Sequence, residues 1–134
     1  MTENPISANE LFFFDGKPKA LNLYEAFREK LLAGIPDVRI ETKKTQISFF
    51  RRYMFAAVSF TPVRRAKERP DPYLTITFGL PYRIGSDRID AAVEPYPNRW
   101  THHVMIGEER EIDGELLSWI GEAADFADRK QRTS

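Results

Sequence analysis

Tyr73-Leu74-Thr75-Ile76-Thr77-Phe78-Gly79-Leu80 alternates large apolar side chains with threonine or glycine along its length. Period two, carried by β-branched and aromatic residues, is the pattern of a strand with one face buried. Leu74, Ile76, Phe78 and Leu80 then line the buried face, and Thr75, Thr77 and Gly79 the other. Such a strand needs partners, and the flanking sequence supplies them. Val38, Ile40 and Thr42 alternate on one parity, then Ile47 and Phe49 on the other, so a turn or bulge belongs between Lys43 and Gln46. Tyr53 to Phe60 is apolar on both parities except at Ser59, as in a central strand. Pro62 to Pro72 is rich in Arg and Lys and reads as an exposed loop, while Gly85 to Asp90 and Pro95 to Asn98 are turn-rich. Trp100 to Ile106 is the last expected strand.

Helical spacing brackets this β region. Ala20, Tyr24, Phe27 and Leu31 form one stripe, with Pro18 tolerated in a first turn and Gly34 and Pro36 ending the element, which predicts a helix over Lys19–Ala33. Leu116, Ile120, Ala123 and Ala127 form the other, opened by Asp113 as N-cap with Ile112 and Leu117 at the spacing of a hydrophobic staple. Helix, about five mostly antiparallel strands and helix predict an α+β two-layer sandwich with both helices on one face of the sheet, since the short connections leave no room for parallel crossovers. Residues 1–10 read as a flexible arm, 11–130 as the single domain and 131–134 as a tail.

With 134 residues and no cysteine, the chain is one domain able to bury a core without disulfides, and it lacks thiolate metal sites and a cysteine nucleophile. No apolar run nears the ~20 residues of a membrane span, and no signal-peptide pattern opens the chain, so a cytoplasmic location without a membrane is expected. Glycines form neither a dinucleotide nor a Walker-type loop, and no serine sits in a nucleophile elbow.

The formal net charge of zero conceals a segregation. Residues 39–69 carry nine basic and two acidic side chains, a net +7, whereas 108–128 carry eight acidic and one basic, a net −7. The acidic run suits the N-terminus of the second helix through its dipole. In the basic segment, Arg51 and Arg52 stand among Phe49, Phe50, Tyr53 and Phe55, with Arg64 and Arg65 in the following loop. Guanidinium forks with interleaved aromatics suit phosphate-bearing ligands or single-stranded nucleic acid, although the same aromatics fit the core parity of a strand and a basic loop is commonly just solvated. His102 and His103 are the only histidines, and on a strand they point to opposite faces, so they cannot chelate one metal together; His102 shares the parity of the core and His103 does not.

Lys43-Lys44-Thr45-Gln46-Ile47-Ser48-Phe49, Phe55-Ala56-Ala57-Val58, Arg99-Trp100-Thr101-His102-His103-Val104 and Ile112 to Ile120 together resemble a small bacterial domain family of unknown function, over roughly Leu11 to Arg129. In that family Lys-Thr-x-Ile-x-Phe and Arg-x-x-His-His elements recur together, which implies that Lys44, Thr45, Arg99, His102 and His103 are family residues. The order of elements is similar to frataxin-like two-layer domains at the level of fold. Neither resemblance implies an activity, a cofactor or a metal.

The expectation is a non-catalytic binding module for an anionic ligand or nucleic acid, with Lys43, Lys44, Arg51, Arg52, Arg64 and Arg65 supplying charge and Arg99, His102 and His103 specific contacts; the resemblance adds Thr45 to the binding residues. One alternative is a small enzyme in which Arg99, His102 and His103 converge with Lys44 in a pocket. Another is self-association or docking of an acidic protein, basic loops meeting the acidic helix start of a second copy.

Overall fold

The computed structural model describes residues 5–130. The elements are α1 (Ala8–Phe13), α2 (Pro18–Gly34), β1 (Arg39–Thr42), β2 (Gln46–Phe50), β3 (Met54–Ser59), β4 (Leu74–Leu80), β5 (Ala91–Tyr96), β6 (Arg99–Ile106) and α3 (Gly114–Lys130). All six strands form one antiparallel sheet in the order β1-β2-β3-β4-β6-β5. The chain is thus an α+β domain with six strands where the alternation alone indicates about five.

The additional strand is β5, Ala-Ala-Val-Glu-Pro-Tyr, which carries a proline and no alternation of apolar residues. It lies at the sheet edge, where a proline removes no ladder hydrogen bond that an interior strand would need. The phase slip at Lys43–Gln46 is a turn, closed by the Lys43 N–H donating to the Gln46 carbonyl at 2.7 Å. A bulge exists as well, at Phe55: Phe50 pairs with Met54 and Phe49 with Ala56, which leaves Phe55 as the extra residue. That extra residue brings Phe55 into the core alongside Ala56.

Cross-strand partners share a face, so the register sorts the sheet into rows. Ile40, Phe49, Ala56, Phe78 and His102 form one row, and Thr42, Ile47, Val58, Ile76 and Val104 the next. These rows join Leu23, Tyr24, Phe27 and Leu31 of α2 and Leu116, Ile120, Ala123 and Ala127 of α3 in one buried cluster. Phe27 meets Phe49 edge-on at 5.9 Å between centroids, and Trp119 stacks on Phe78 at 6.2 Å. Each fully buried aromatic here contributes about 1.5–3 kcal/mol of transfer free energy. Alternate rows carry the other set, Glu41, Ser48, Ala57, Thr77 and His103.

The helix boundaries follow the expected stops, and α3 has the expected cap, the Leu116 N–H donating to Asp113 Oδ1 at 3.1 Å. The expected arm needs revision. Residues 1–4 and the tail 131–134 lie outside the described residues, but Ser7 caps α1 and exchanges a reciprocal capping box with Glu10. Glu10 itself is buried, and its carboxylate receives Arg28 Nε at 2.7 Å and the Tyr24 hydroxyl. A three-residue polar cluster therefore fastens a six-residue helix, too short to persist alone, to α2. Burial works to raise the Glu10 carboxyl and the hydrogen bonds from Arg28, Tyr24 and Ser7 outweigh it, holding it below its ordinary value, while burial drives the Tyr24 hydroxyl up.

Candidate functional site

With α1 fixed in this way, its Asn9, Phe12 and Phe13 face the β1–β2 turn across an open groove of about 710 Å³. Lys17, from the α1–α2 connection, and Lys43 and Lys44, from the turn, line it together with Thr42, Thr45, Phe60 and Thr61. Among the described residues no acidic side chain lines the groove, whereas three lysines do. Lys17 Nζ lies 5.3 Å from the Phe60 centroid, and Lys43 Nζ is held loosely, 3.7 Å from Glu41 Oε1 and 5.6 Å from the Phe50 centroid. Phe12 is 77% exposed beside them. Chemically the groove offers cations, threonine hydroxyls and aromatic surface, a combination that favours a compact anion with an apolar portion. Of the residues singled out in the sequence, the structure brings Lys43, Lys44 and Thr45 here; Lys17 was missed because it lies 26 residues upstream in a stretch without excess charge.

The remaining basic residues do not gather into one face. Arg51 crosses to α3 and pairs with Asp128 at 2.6 Å and Asp125 at 3.3 Å, which joins the basic to the acidic segment. Arg64 donates to Asp90 Oδ1 at 2.8 Å and to the Met105 carbonyl at 3.1 Å, while Asp90 Oδ2 accepts the Met105 N–H at 2.7 Å. This clamp extends the β5–β6 ladder by side chains and fastens the loop after β3 to it. Arg65 pairs with Glu68 on the surface, and Arg52 is exposed. On the acidic side, Arg88 takes Asp113 and Glu115 at 2.9 and 3.0 Å and holds the Asp113 carboxyl below its ordinary value. Arg88 was invisible in the charge windows because it lies outside both, within the turn-rich stretch Gly85 to Asp90.

His102 is fully buried, its ring stacked on Phe78 at 5.3 Å and its Nε2 accepting the Ile84 N–H at 3.0 Å. With Nε2 as acceptor the neutral ring carries its proton on Nδ1, which has no partner among the described residues. Burial lowers its pKa below the ordinary value. His103 points the other way, half-buried, with Nδ1 2.9 Å from Thr77 Oγ1, and burial lowers it too. Arg99 lines a different cleft with Trp100. The constellation of Arg99, His102 and His103 with Lys44 is not assembled. Lys44 follows β1, four ladder spacings or roughly 19 Å from β6, and lies at the opposite end of the sheet from Arg99. No three His, Asp or Glu side chains among the described residues stand close enough to share a metal ion, and no described helix is long and apolar enough to cross a membrane.

The class of protein so defined is an α+β domain built on one antiparallel sheet, with a lysine-lined groove at one end. A family model for a domain of unknown function, DUF5655, matches residues 12–127, and the chain belongs to that family. No curated protein and no solved structure matches it.

Proposed function

We propose that the domain is a non-catalytic binding module whose ligand is a compact anion, held in the groove between α1 and the β1–β2 turn. The observation that carries the reading is the convergence of Lys17, Lys43 and Lys44 on a groove with no acidic lining among the described residues. Between the two expected ligand types, a small phosphate- or carboxylate-bearing molecule is favoured over an extended nucleic acid. Arg51 and Arg64, which a polyanion track would need, already face Asp125, Asp128 and Asp90. Both helices on one face of the sheet is the arrangement that goes with this reading; the contacts of Phe27 with Phe49 and of Trp119 with Phe78, two sheet residues in one register row, support it.

Titration with pyrophosphate by calorimetry tests the proposal. At ~4 Å in water a unit charge is worth about 1 kcal/mol, so Lys44→Glu, a two-unit reversal, weakens binding by roughly 30-fold at low salt. High salt weakens the wild type in the same direction. Pyrophosphate affinity unchanged in Lys44→Glu sinks the reading, and oligonucleotide binding lost in Arg52→Glu but kept in Lys44→Glu replaces it with the polyanion alternative.

A further inference from the structure

Gly79 occupies the interior of β4, a central strand, where glycine weakens a sheet by roughly 0.5–1 kcal/mol relative to alanine. Two reasons normally account for such a glycine, a positive φ or a backbone passing too close for a Cβ. Neither applies. Gly79 has no positive φ, and a Cβ built there would meet only the Trp100 carbonyl oxygen, at an ordinary 3.9 Å. Gly107 shows what a required glycine looks like: a Cβ there would sit 2.5 Å from Pro70.

What the missing side chain leaves is space. The β3–β4 ladder ends at the Ala56–Phe78 pair, whereas β4 and β6 stay paired as far as Leu80 and Trp100. β3 therefore departs from β4 just where Gly79 stands, aided by the Phe55 bulge. The gap is a cleft of about 190 Å³ whose apolar walls include Met54, Phe55, Trp100 and Phe126, with Gly79 and Arg99 also lining it. A dry cavity of ~150 Å³ accommodates benzene, which sets the scale at one aromatic ring with a small substituent. Among the described residues the lining contains one cation and no acidic side chain. Arg99 has no ion pair or hydrogen bond to another side chain among the described residues. A guanidinium without a side-chain partner, on a residue that lines a largely apolar slot, fits a carboxylate in a bidentate geometry.

We infer that the Gly79 cleft is a second binding site, for a small arylcarboxylate whose ring fills the space beside Gly79 and whose carboxylate meets Arg99. It is separate from the lysine groove, at the other end of the sheet, and does not depend on it.

Phenylacetate and its neutral counterpart 2-phenylethanol are the probes, followed by saturation-transfer NMR and by the indole fluorescence of Trp100. Phenylacetate binds the wild type better than 2-phenylethanol by at least tenfold. Gly79→Val fills the cleft with a residue that suits a strand, abolishing binding of both probes without lowering Tm. Arg99→Met, which breaks no ion pair, brings the two probes to equal affinity, and this arm stands even if Gly79→Val folds poorly. The inference is overturned if the wild type binds neither probe at millimolar concentration, if Gly79→Val binds phenylacetate as before, or if Arg99→Met keeps the preference for the acid.

Discussion

Replacing Glu10 by alanine leaves the Arg28 guanidinium and the Tyr24 hydroxyl in the protein interior without their shared acceptor. The side chains of Glu10 and Arg28 are only 3% and 10% exposed, so water cannot take the place of the carboxylate. Arg28 keeps its bond to the Pro5 carbonyl at 3.1 Å, but removing the carboxylate partner of a buried ion pair typically costs about 3–5 kcal/mol. Against a total stability of ~5–15 kcal/mol that is a large fraction, and at about 3–4 °C per kcal/mol it lowers Tm by roughly 10–20 °C. Urea unfolding followed by tryptophan fluorescence reads it directly. Removing the whole cluster at once, as Glu10→Leu/Arg28→Met/Tyr24→Phe, recovers most of the loss because the carboxylate and the guanidinium then leave together. The consequence reaches the groove, for α1 carries the lining residues Asn9, Phe12 and Phe13. Glu10→Ala therefore weakens pyrophosphate binding although Glu10 does not line the groove. A cost under ~1 kcal/mol, or a triple variant no more stable than Glu10→Ala, refutes the reasoning.

Glu10, held below its ordinary 4.5, binds fewer protons folded than unfolded; its contribution is complete above about pH 4.5 and fades as pH falls through the folded value, so Glu10→Ala has a shallower acid limb in Tm against pH. The two histidines act at higher pH. Both have pKa values lowered by burial, so below their ordinary 6.5 the unfolded chain takes up protons first and stability falls with acidification; urea midpoints at pH 7.5 and 5.5 show this in the wild type and not in His102→Gln/His103→Gln. Asp90→Ala removes the acceptor that the Met105 N–H and Arg64 Nε share, leaving Arg64 only its bond to the Met105 carbonyl, and costs about 1–3 kcal/mol, with faster hydrogen exchange at the Met105 amide as its local signature. Gly107→Ala forces Pro70 aside and lowers Tm, whereas Gly79→Ala leaves it unchanged or raises it, a contrast that thermal melts in parallel decide.

Much of the architecture was legible because it rests on periodicity. Leu74, Ile76, Phe78 and Leu80 are all buried, and both long helices follow their stripes. β5 escaped because an edge strand with one neighbour needs no apolar alternation, and α1 because a six-residue helix is stabilised by Glu10 reaching residues 14 and 18 positions away. Parity also placed His102 and His103 on opposite faces. The candidate site was half visible: Lys43, Lys44 and Thr45 stand in a row, but nothing local links them to Lys17 or Phe12.

The amino-acid sequence by itself determined which faces are apolar, where the major elements start and stop, and that the zero net charge divides into a basic and an acidic segment. Period and capping are local properties, fixed by residues within a few positions of one another. Only the tertiary structure decided what the charges do. It spent Arg51 on α3 and Arg64 on Asp90, left the lysines around a groove, and set Arg99 beside the space that Gly79 leaves. Charge pairing depends on distances across the sheet, and a linear count of charges contains no distances.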